Sequence, residues 1–370
     1  MLSQTNKLLS IVNEKLRKYS TECLIDLEHS SFLLAISGGI DSMTMSSLIV
    51  QLRDKYKFRL GFAHINHHAH RKSEEVEDFC FQYCNNNDVA FYRSDFFSSS
   101  RKNFESNSRE TRYSFLREIS EKYLYHFILT AHHRDDQLET LYMKLMDGGD
   151  WLSQIGIRER MGNLRRPFLG ITKKDIELHA QLKNIAWIED PTNSDFSIRR
   201  NNIRYAQLPQ ACRRNSGLKE YLLNTAKNNV QKLIYTELKL KKEHQYIIKK
   251  HFKNYIHINR KGLVRYSLVE LKLFVYTCIA SLIRMKVPPQ SGGLWREFKY
   301  FINKSRTGSM FQISSLTFII NRDELIAINN YDEIKIPPKL RVCHNLLWFS
   351  GKFKTRNNGR LNEVMIILVS

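Results

Sequence analysis

The sequence has no apolar run that approaches the roughly 20 residues needed to cross a bilayer. Its first twenty residues predict an amphipathic helix and lack the apolar core and cleavage site of a signal peptide. We therefore expect a cytoplasmic protein with no membrane partner.

Cysteine is scarce and scattered. Six cysteines occur in 370 residues, and only Cys80 and Cys84 are close together. Their CxxxC spacing is a weak metal signal, and no CxxC occurs anywhere in the chain. We expect buried, reduced thiols here, with a zinc site as the less favoured alternative.

Two common phosphate-binding patterns are also absent. The chain contains neither GxxxxGK followed by Ser or Thr nor GxGxxG. A nucleotide site in this protein must therefore be built from a different loop.

Acidic residues are few in the second part of the chain. Residues 1–210 carry 29 Lys and Arg against 27 Asp and Glu, whereas residues 211–370 carry 29 against 10. This asymmetry predicts a near-neutral catalytic module joined to a polyanion-binding module. The plainer alternative is a lysine-rich, solvated surface.

A glycine turn stands between an apolar run at 32–36 and a helical pattern at 43–52. The order predicts strand, turn and helix, with the N–H groups of the first helical turn favouring an anion. Asp41 in such a turn either holds a metal ion or caps the helix. An ordinary strand-to-helix turn is the alternative. The candidate nucleotide-binding residues are Ser37, Gly38, Gly39, Ile40, Asp41 and Ser42.

Strands and helices alternate over the first half of the chain. Predicted strands at 32–36, 59–66, 89–93 and 126–131 alternate with helices at 43–52, 73–87, 106–122 and 136–146. This order predicts an α/β fold with a doubly wound parallel sheet. Ligands of such sheets bind beyond the carboxyl ends of the strands. The glycine turn and the histidines at 64, 67, 132 and 133 all follow strand ends.

A second polar cluster, AHHRDDQLET, spans residues 131–140. Asp136, Glu139 and Thr140 share one helical face at spacings of three and four. Two carboxylates near a phosphate site indicate Mg²⁺ binding, recognition of a cationic substrate, or both. The alternative is a helix start that carries acids for its dipole.

Two basic segments are harder to interpret from spacing alone. Arg109 and Arg112 lie three apart on one predicted helix, and Arg204 ends the run RRNNIR at the point where the net charge changes. Contact with phosphate or RNA and a solvated face are both open.

The loop SGGIDS resembles the pyrophosphatase loop of the PP-loop ATPases, which split ATP between the α and β phosphates. Seven motifs in order over residues 30–206 resemble the tRNA(Ile)-lysidine synthetase family: SGGIDS, HINHHAHRKSEEVE, SRETRYSFL, AHHRDDQLET, RRPFLG, WIEDPTN and RRNNIR. One departure is Asn66, where that family often has an aspartate.

The resemblance implies an adenine nucleotide alpha hydrolase-like fold and an ATP- and Mg²⁺-dependent ligase. Such an enzyme adenylates the wobble cytidine of tRNA(Ile) with a CAU anticodon, and free L-lysine then displaces AMP. The implied catalytic residues are Asp41, which also holds the metal, Asp136, and His132, with His133 as the alternative donor to the phosphate oxygens. The implied substrate-binding residues are Asp136 and Glu139 for lysine, and Arg112 and Arg204 for RNA or nucleotide.

Two alternatives remain. Another PP-loop tRNA-modifying enzyme, such as a tRNA thiolase, usually needs CxxC pairs or a catalytic cysteine near the loop. A non-catalytic RNA-binding protein has no need of acids near phosphate.

We expect three domains: 1–214, the ATP-binding catalytic domain; 215–330, a basic helical and hairpin tRNA-binding domain; and 331–370, a linker and short β-rich cap. Within the last two we predict helices at 220–252, 268–283 and 294–303, a loop at 288–293, a hairpin at 310–320, a strand at 325–328 and a linker at 332–339. They form the helical and small α+β C-terminal part of the fold, and a homodimer is one possible assembly.

Overall fold

The computed structural model describes residues 2–68, 73–95, 104–189, 195–252, 255–280, 291–329, 351–357 and 360–366. The chain forms two compact units, Met1–Leu233 and Ile234–Ser370. The division into three domains at 214 and 330 stays a prediction.

The first unit is built on a six-stranded sheet in the order β3-β2-β1-β4-β6-β5. β1 pairs in parallel with both β2 and β4, and only β5 runs antiparallel to its neighbour. The strands are β1 (Ser31–Ala35), β2 (Arg59–Asn66), β3 (Ala90–Asp95), β4 (Phe127–Leu129), β5 (Arg160–Met161) and β6 (Leu164–Arg165). The predicted doubly wound sheet is therefore confirmed.

Helices cover both faces of this sheet. Phe32 and Leu34 of β1 pack into one apolar cluster, whereas Leu33 packs into another with Leu116 and Ile119. Alternate residues of a strand point to opposite faces, so a strand covered on both sides is apolar throughout. The helices are α1 (Leu2–Glu22), α2 (Ile40–Tyr56), α3 (Ser73–Asn86), α4 (Phe104–Lys122), α5 (Arg134–Met146) and α6 (Lys173–Leu182).

A helical segment then follows within the first unit. It consists of α7 (Arg199–Asn202), a π-helical turn (Ile203–Gln207) and α8 (Leu208–Arg214), without a break between them. Ile203 and Leu208 pack on Leu138 and Leu141 of α5. This packing holds the segment against the start of α5, where the polar cluster lies.

α9 (Leu218–Ile247) runs from the first unit into the second. The predicted helix extends to 252, but the structure ends it at Ile247 and places Ile248–His251 in a strand. Pairing of this strand with Tyr255–Asn259 satisfies its backbone groups, which decides its conformation over the helical apolar spacing.

The second unit contains a five-stranded sheet in the order β7-β8-β11-β10-β9, and all its pairings are antiparallel. Its strands are β7 (Ile248–His251), β8 (Tyr255–Asn259), β9 (Met310–Ile313), β10 (Leu316–Asn321) and β11 (Glu324–Asn329). Its helices are α10 (Arg260–Val264), α11 (Leu268–Leu273), which continues as a π-helical turn (Phe274–Ile279), and α12 (Gly292–Lys304). The hairpin and the strand at 325–328 are confirmed.

At the end of the chain, β12 (Gly351–Asn357) and β13 (Arg360–Ile366) form an antiparallel pair. The predicted linker at 332–339 and residues 288–290 of the predicted loop lie outside the described residues, and the loop's Gly292 and Gly293 begin α12. In the part of the chain that the structure describes, no helix has the length and apolar character of a membrane span.

Candidate active site

The candidate site lies at the carboxyl edge of the first sheet, where the strand order changes direction. β2 and β4 flank β1 on opposite sides. The loops that leave β1 and β4 therefore diverge toward opposite faces and leave a crevice between them, which is where open α/β sheets bind ligands. The glycine turn follows β1, and His132 and His133 follow β4.

The glycine turn has a defined backbone. Gly38 has φ +74°, and a Cβ at this position would lie 2.7 Å from Cγ1 of Val76. A Cβ on Gly39, by contrast, would meet only Oγ of Ser37, at 3.7 Å. Gly38 is therefore required by conformation and packing, whereas Gly39 leaves open space for a ligand to approach the backbone.

The two serines of the turn lock it from within. Oγ of Ser42 accepts hydrogen bonds from N and Oγ of Ser37, both at 3.1 Å, and donates to the Gly39 carbonyl at 2.9 Å. The Gly38 carbonyl accepts a bond from N of Ile188, at 3.0 Å. Ile188 belongs to the WIEDPTN motif, so this distant motif supports the turn directly. Residues 190–193 of the motif lie outside the described residues.

Asp41 lies in the first turn of α2 and contacts two cationic or polar groups. Nζ of Lys173 is 2.7 Å from its Oδ1, and Nε2 of His133 is 3.7 Å from its Oδ2. Its side chain is 30% exposed. The carboxylate therefore faces the crevice. The N-cap of α2 is Gly39, and no side chain caps the helix, so Asp41 is not a cap.

His133 connects the glycine turn to the acidic cluster. Its Nδ1 accepts a bond from N of Asp136, at 3.4 Å, and N of His133 donates to Oδ2 of Asp136, at 2.9 Å. This reciprocal pair is a capping box at the start of α5. Because Nδ1 accepts, the ring proton of a neutral imidazole lies on Nε2, which is 3.4 Å from Oδ2 of Asp136.

His132 is a neutral imidazole in this environment. Burial, with nearby arginines such as Arg166, lowers the pKa of His132 to about 3. Its Nδ1 lies 3.0 Å from Oγ1 of Thr130, a buried hydroxyl at the end of β4. The ring is thus held by a hydrogen bond and carries no charge at neutral pH.

The acidic pair is held by two arginines. Glu139 is only 2% exposed, and its carboxylate lies 2.9 Å from Nε of Arg200 and 2.5 Å from Nε of Arg204. Oδ1 of Asp136 accepts from the same two side chains, at 2.9 and 3.3 Å. Arg200 and Arg204 lie one helical turn apart, so their side chains share one face. From that face both reach the acidic pair, whose two members lie three residues apart on α5.

These contacts shift the titration of the cluster. Burial raises the pKa of Asp136, but His133 and Arg200 outweigh burial, so the carboxyl titrates below its ordinary range. Burial lowers the pKa of the Arg204 guanidinium, but Glu139 and Asp136 reverse this and raise it. Both groups are therefore ionised at neutral pH, and the two carboxylates of the cluster are paired with the two guanidinium groups.

Arg112 lies apart from the acidic pair. Its guanidinium is 3.4 Å from Nε2 of His67, which follows β2, and its side chain is exposed. The structure thus places Arg112 at the rim of the crevice. His64, near the end of β2, is buried: its Nδ1 lies 3.0 Å from the Ile36 carbonyl, and burial lowers the pKa of His64.

Asn66, the departure from the family pattern, has a packing role here. Its Nδ2 donates to Glu77, at 3.0 Å, and its Oδ1 accepts from N of His68, at 2.9 Å. The amide thus fixes the turn after β2. An aspartate would accept the His68 bond but would lack the donor for Glu77.

The predicted site residues fall into two groups. Residues 37–42 meet Asp136 and Glu139 through His133, whereas Arg112 stands at the rim. Sequence reasoning missed Lys173 and Arg200. Arg200 had a signal in its four-residue spacing from Arg204, but Lys173 had none.

The site has the groups that Mg²⁺ and a triphosphate require. Mg²⁺ commonly binds one or two carboxylates and completes its shell with water and substrate phosphates. Asp41 supplies such a carboxylate beside the open backbone of Gly39 and the start of α2, a 17-residue helix. Asp41 and the turn therefore fit both groups.

A cleft of about 490 Å³ opens beside the acidic pair on the side of α8. Its lining includes one face of Glu139 together with basic side chains. The residues are Asp135, Leu138, Glu139, Arg204, Leu208, Pro209, Cys212, Arg213 and Lys219.

The comparisons with known proteins agree with the predicted fold. The chain is 33% identical over 186 residues to the tRNA(Ile)-lysidine synthase of Enterococcus faecalis, which covers 49% of this chain and 40% of that protein. It is 36% identical over 188 residues to that of Streptococcus pyogenes serotype M1, covering 49% and 41%. For Streptococcus mutans the identity is 33% over 217 residues, covering 57% and 48%. The chain matches under half the length of each relative.

A solved structure, the U34-tRNA thiolase NcsA from Methanococcus maripaludis with its 4Fe–4S cluster, superposes with a TM-score of 0.49 at 15% identity, over 61% of this chain and 80% of that chain. Residues 8–211, more than half of the chain, match the PP-loop domain. The protein therefore belongs to the PP-loop ATP-binding family.

Proposed function

We propose that this protein ligates free lysine to the wobble cytidine of tRNA(Ile) with a CAU anticodon, using ATP and releasing AMP and pyrophosphate. One observation carries the proposal. The Nε2 atom of His133 lies 3.7 Å from Asp41 in the glycine turn and 3.4 Å from Asp136 in the acidic pair. The proposed nucleotide site and the proposed lysine site are therefore adjacent, which supports the two-step reaction.

In the first step, the 2-keto oxygen of cytidine attacks the α phosphorus of ATP, and the bond to pyrophosphate breaks. The glycine turn binds the triphosphate, and Asp41 holds Mg²⁺, which neutralises phosphate charge when bound. With Nδ1 of the neutral His132 ring accepting from Oγ1 of Thr130, its Nε2 would donate a hydrogen bond to a phosphate oxygen. Such fixed donors stabilise charge that develops on phosphate oxygens.

In the second step, Asp136 takes a proton from the ε-ammonium group of lysine, the freed ε-amine attacks C2 of the adenylated cytidine, the C2–O bond breaks, and AMP leaves. We assign the ammonium group of the incoming lysine to Asp136 and Glu139. These carboxylates already attract two guanidinium groups, Arg200 and Arg204, and lysine would exchange with them. The cleft beside Glu139 gives lysine a route to the pair.

The RNA is assigned to the basic part of the chain. Residues 211–370 carry 29 Lys and Arg against 10 Asp and Glu, which favours binding to a polyanion such as tRNA. Arg112, exposed at the rim, and Arg204 are the candidates for contact with RNA phosphate or nucleotide near the reacting base.

The cysteines near the glycine turn argue against thiolase activity, because their thiols are buried. Cys80 and Cys84 are both buried, and burial raises the pKa of the Cys84 thiol to about 12 and that of Cys80 further. Sulfur transfer needs a thiolate, which these sites suppress. A non-catalytic RNA-binding role leaves the acidic pair without a purpose.

The proposal is tested by measuring AMP release from ATP with and without lysine and bulk bacterial tRNA. We expect AMP only when tRNA is present, with turnover that depends on lysine. Release of AMP that ignores both RNA and lysine, or no release at all, would contradict the proposal.

A further inference from the structure

Lys173 is the first residue of α6, and its side chain reaches the glycine turn. Its Nζ lies 2.7 Å from Oδ1 of Asp41, although the two residues are 132 positions apart in sequence. Each side chain is about one-third exposed. The ion pair therefore lies at the open face of the nucleotide site and not in the core.

The backbone of Lys173 is fixed, whereas its side chain has room to move. N of Lys173 donates to Oδ2 of Asp135, at 2.8 Å, and Oγ1 of Thr172 caps α6 by accepting from N of Asp175, at 3.1 Å. Ile176, one turn on, is fully buried. These contacts tie the start of α6 to the start of α5 and leave four methylenes to reposition the ammonium group.

The electrostatics of the turn call for such a cation. A triphosphate carries several negative charges, and Asp41 adds another at the same place. Asp41 would hold Mg²⁺ when ATP binds, and the carboxylate would then release the lysine ammonium. The displaced ammonium is then within a side-chain rotation of the phosphates, in a partly enclosed site where charge-assisted bonds are strong.

We propose that Lys173 binds the pyrophosphate portion of ATP. In the absence of ATP its ammonium group pairs with Asp41, and it moves to the phosphates when ATP binds. The inference rests on the proposed ATP-dependent function and adds a phosphate-binding residue to it. Ammonium on the departing phosphates stabilises the negative charge that pyrophosphate gains when the bond to the α phosphorus breaks.

A purely neutralising role for Lys173 makes the opposite prediction. If the ammonium only balances Asp41, its removal frees the carboxylate, and Mg²⁺ with ATP binds equally well or more tightly. If Lys173 binds phosphate, its removal weakens ATP binding and leaves AMP binding unchanged, because AMP lacks the pyrophosphate.

The experiment is calorimetric titration of the full chain with Mg²⁺ and a non-hydrolysable ATP analogue, and separately with AMP. We expect Lys173→Met to weaken the analogue by about tenfold or more, the loss of one charge-assisted bond. The affinity of Lys173→Met for AMP should stay within about twofold of the wild-type affinity, well below the tenfold change expected for the analogue. Lys174→Met, at the exposed neighbouring position, is the matched control and should bind both like the wild type.

Equal or tighter analogue binding by Lys173→Met overturns the inference, as does equal weakening of analogue and AMP. Lys173→Gln is the second neutral variant, and failure of both to fold also overturns it, because the role is then structural. If the wild type itself binds no ATP analogue, the proposed function fails instead, so the two failures are distinguishable.

Discussion

Arg204 places Nε 2.5 Å from Oε1 of Glu139, a carboxylate that is 2% exposed. Nε of Arg200 lies 2.9 Å from the other oxygen of this carboxylate, and both arginines also contact Asp136. The four side chains form a largely buried ionic cluster. Such a cluster contributes little net stability compared with apolar packing, but breaking it leaves uncompensated charge. Because it adds little to folding, the cluster supports the proposed binding of the lysine ammonium at this position.

Glu139→Gln should weaken this cluster and the lysine site together. We expect a loss of about 3 kcal/mol in the free energy of unfolding, because two guanidinium groups lose a buried carboxylate. We also expect the KM for lysine to rise more than the KM for ATP. Chemical unfolding and steady-state kinetics measure the two effects. Glu110→Gln, exposed on α4, is the matched control. A KM change confined to ATP would remove Glu139 from the lysine site.

Asp41→Asn tests the metal-binding assignment. We expect AMP formation to fall below detection while the unfolding midpoint changes little, because the side chain is only partly buried and makes no cap. Asp54→Asn, on the same helix and exposed, should keep full activity. The assay is AMP release at saturating tRNA and lysine. Normal turnover by the Asp41 variant would show that the turn does not use this carboxylate.

The two glycines of the turn should respond differently to alanine. Gly38→Ala places a Cβ 2.7 Å from Val76 at φ +74°, so we expect a loss of about 1–3 kcal/mol in stability. Gly39→Ala meets no such clash, so stability should be kept while ATP binding weakens. Thermal unfolding and ATP titration separate these outcomes. Equal stability of both variants would mean that the turn relaxes freely.

The partly buried His132 predicts a pH dependence of stability. Its folded pKa of about 3 lies below the ordinary value of 6.5, so the unfolded chain binds the extra proton first. Its contribution is present above pH 6.5 and is lost as the pH falls toward 3, by roughly 1 kcal/mol per pH unit. His132→Gln should lessen the loss of unfolding free energy between pH 7 and 4. Identical pH profiles would show that His132 titrates normally.

The sequence predicted the frame of the site well because that frame is local. The strand Arg59–Asn66 matches the structure to the residue, and the glycine turn lies between a strand and a helix as expected. These elements follow from short apolar patterns and from glycine chemistry. The parallel sheet then brings the strand ends to one edge without further information.

The parts that were missed depend on distant partners. Lys173 and Arg200 are ordinary surface residues in sequence, and their positions are set by packing of α6 and α7 onto α5. Ile248–His251 continues the helical spacing of α9, and only its pairing with β8 makes it a strand. The four-residue spacing of Arg200 from Arg204 is a local signal, whereas no local pattern indicates the partners of Lys173 or of Ile248–His251.

The most direct test of the central claim is to incubate the protein with ATP, radiolabelled lysine and bulk bacterial tRNA, and then to digest the recovered RNA to nucleosides. The account predicts that label enters one modified cytidine at the wobble position of tRNA(Ile), and that Asp41→Asn abolishes it. Unlabelled RNA, with ATP bound and tRNA intact, would contradict it.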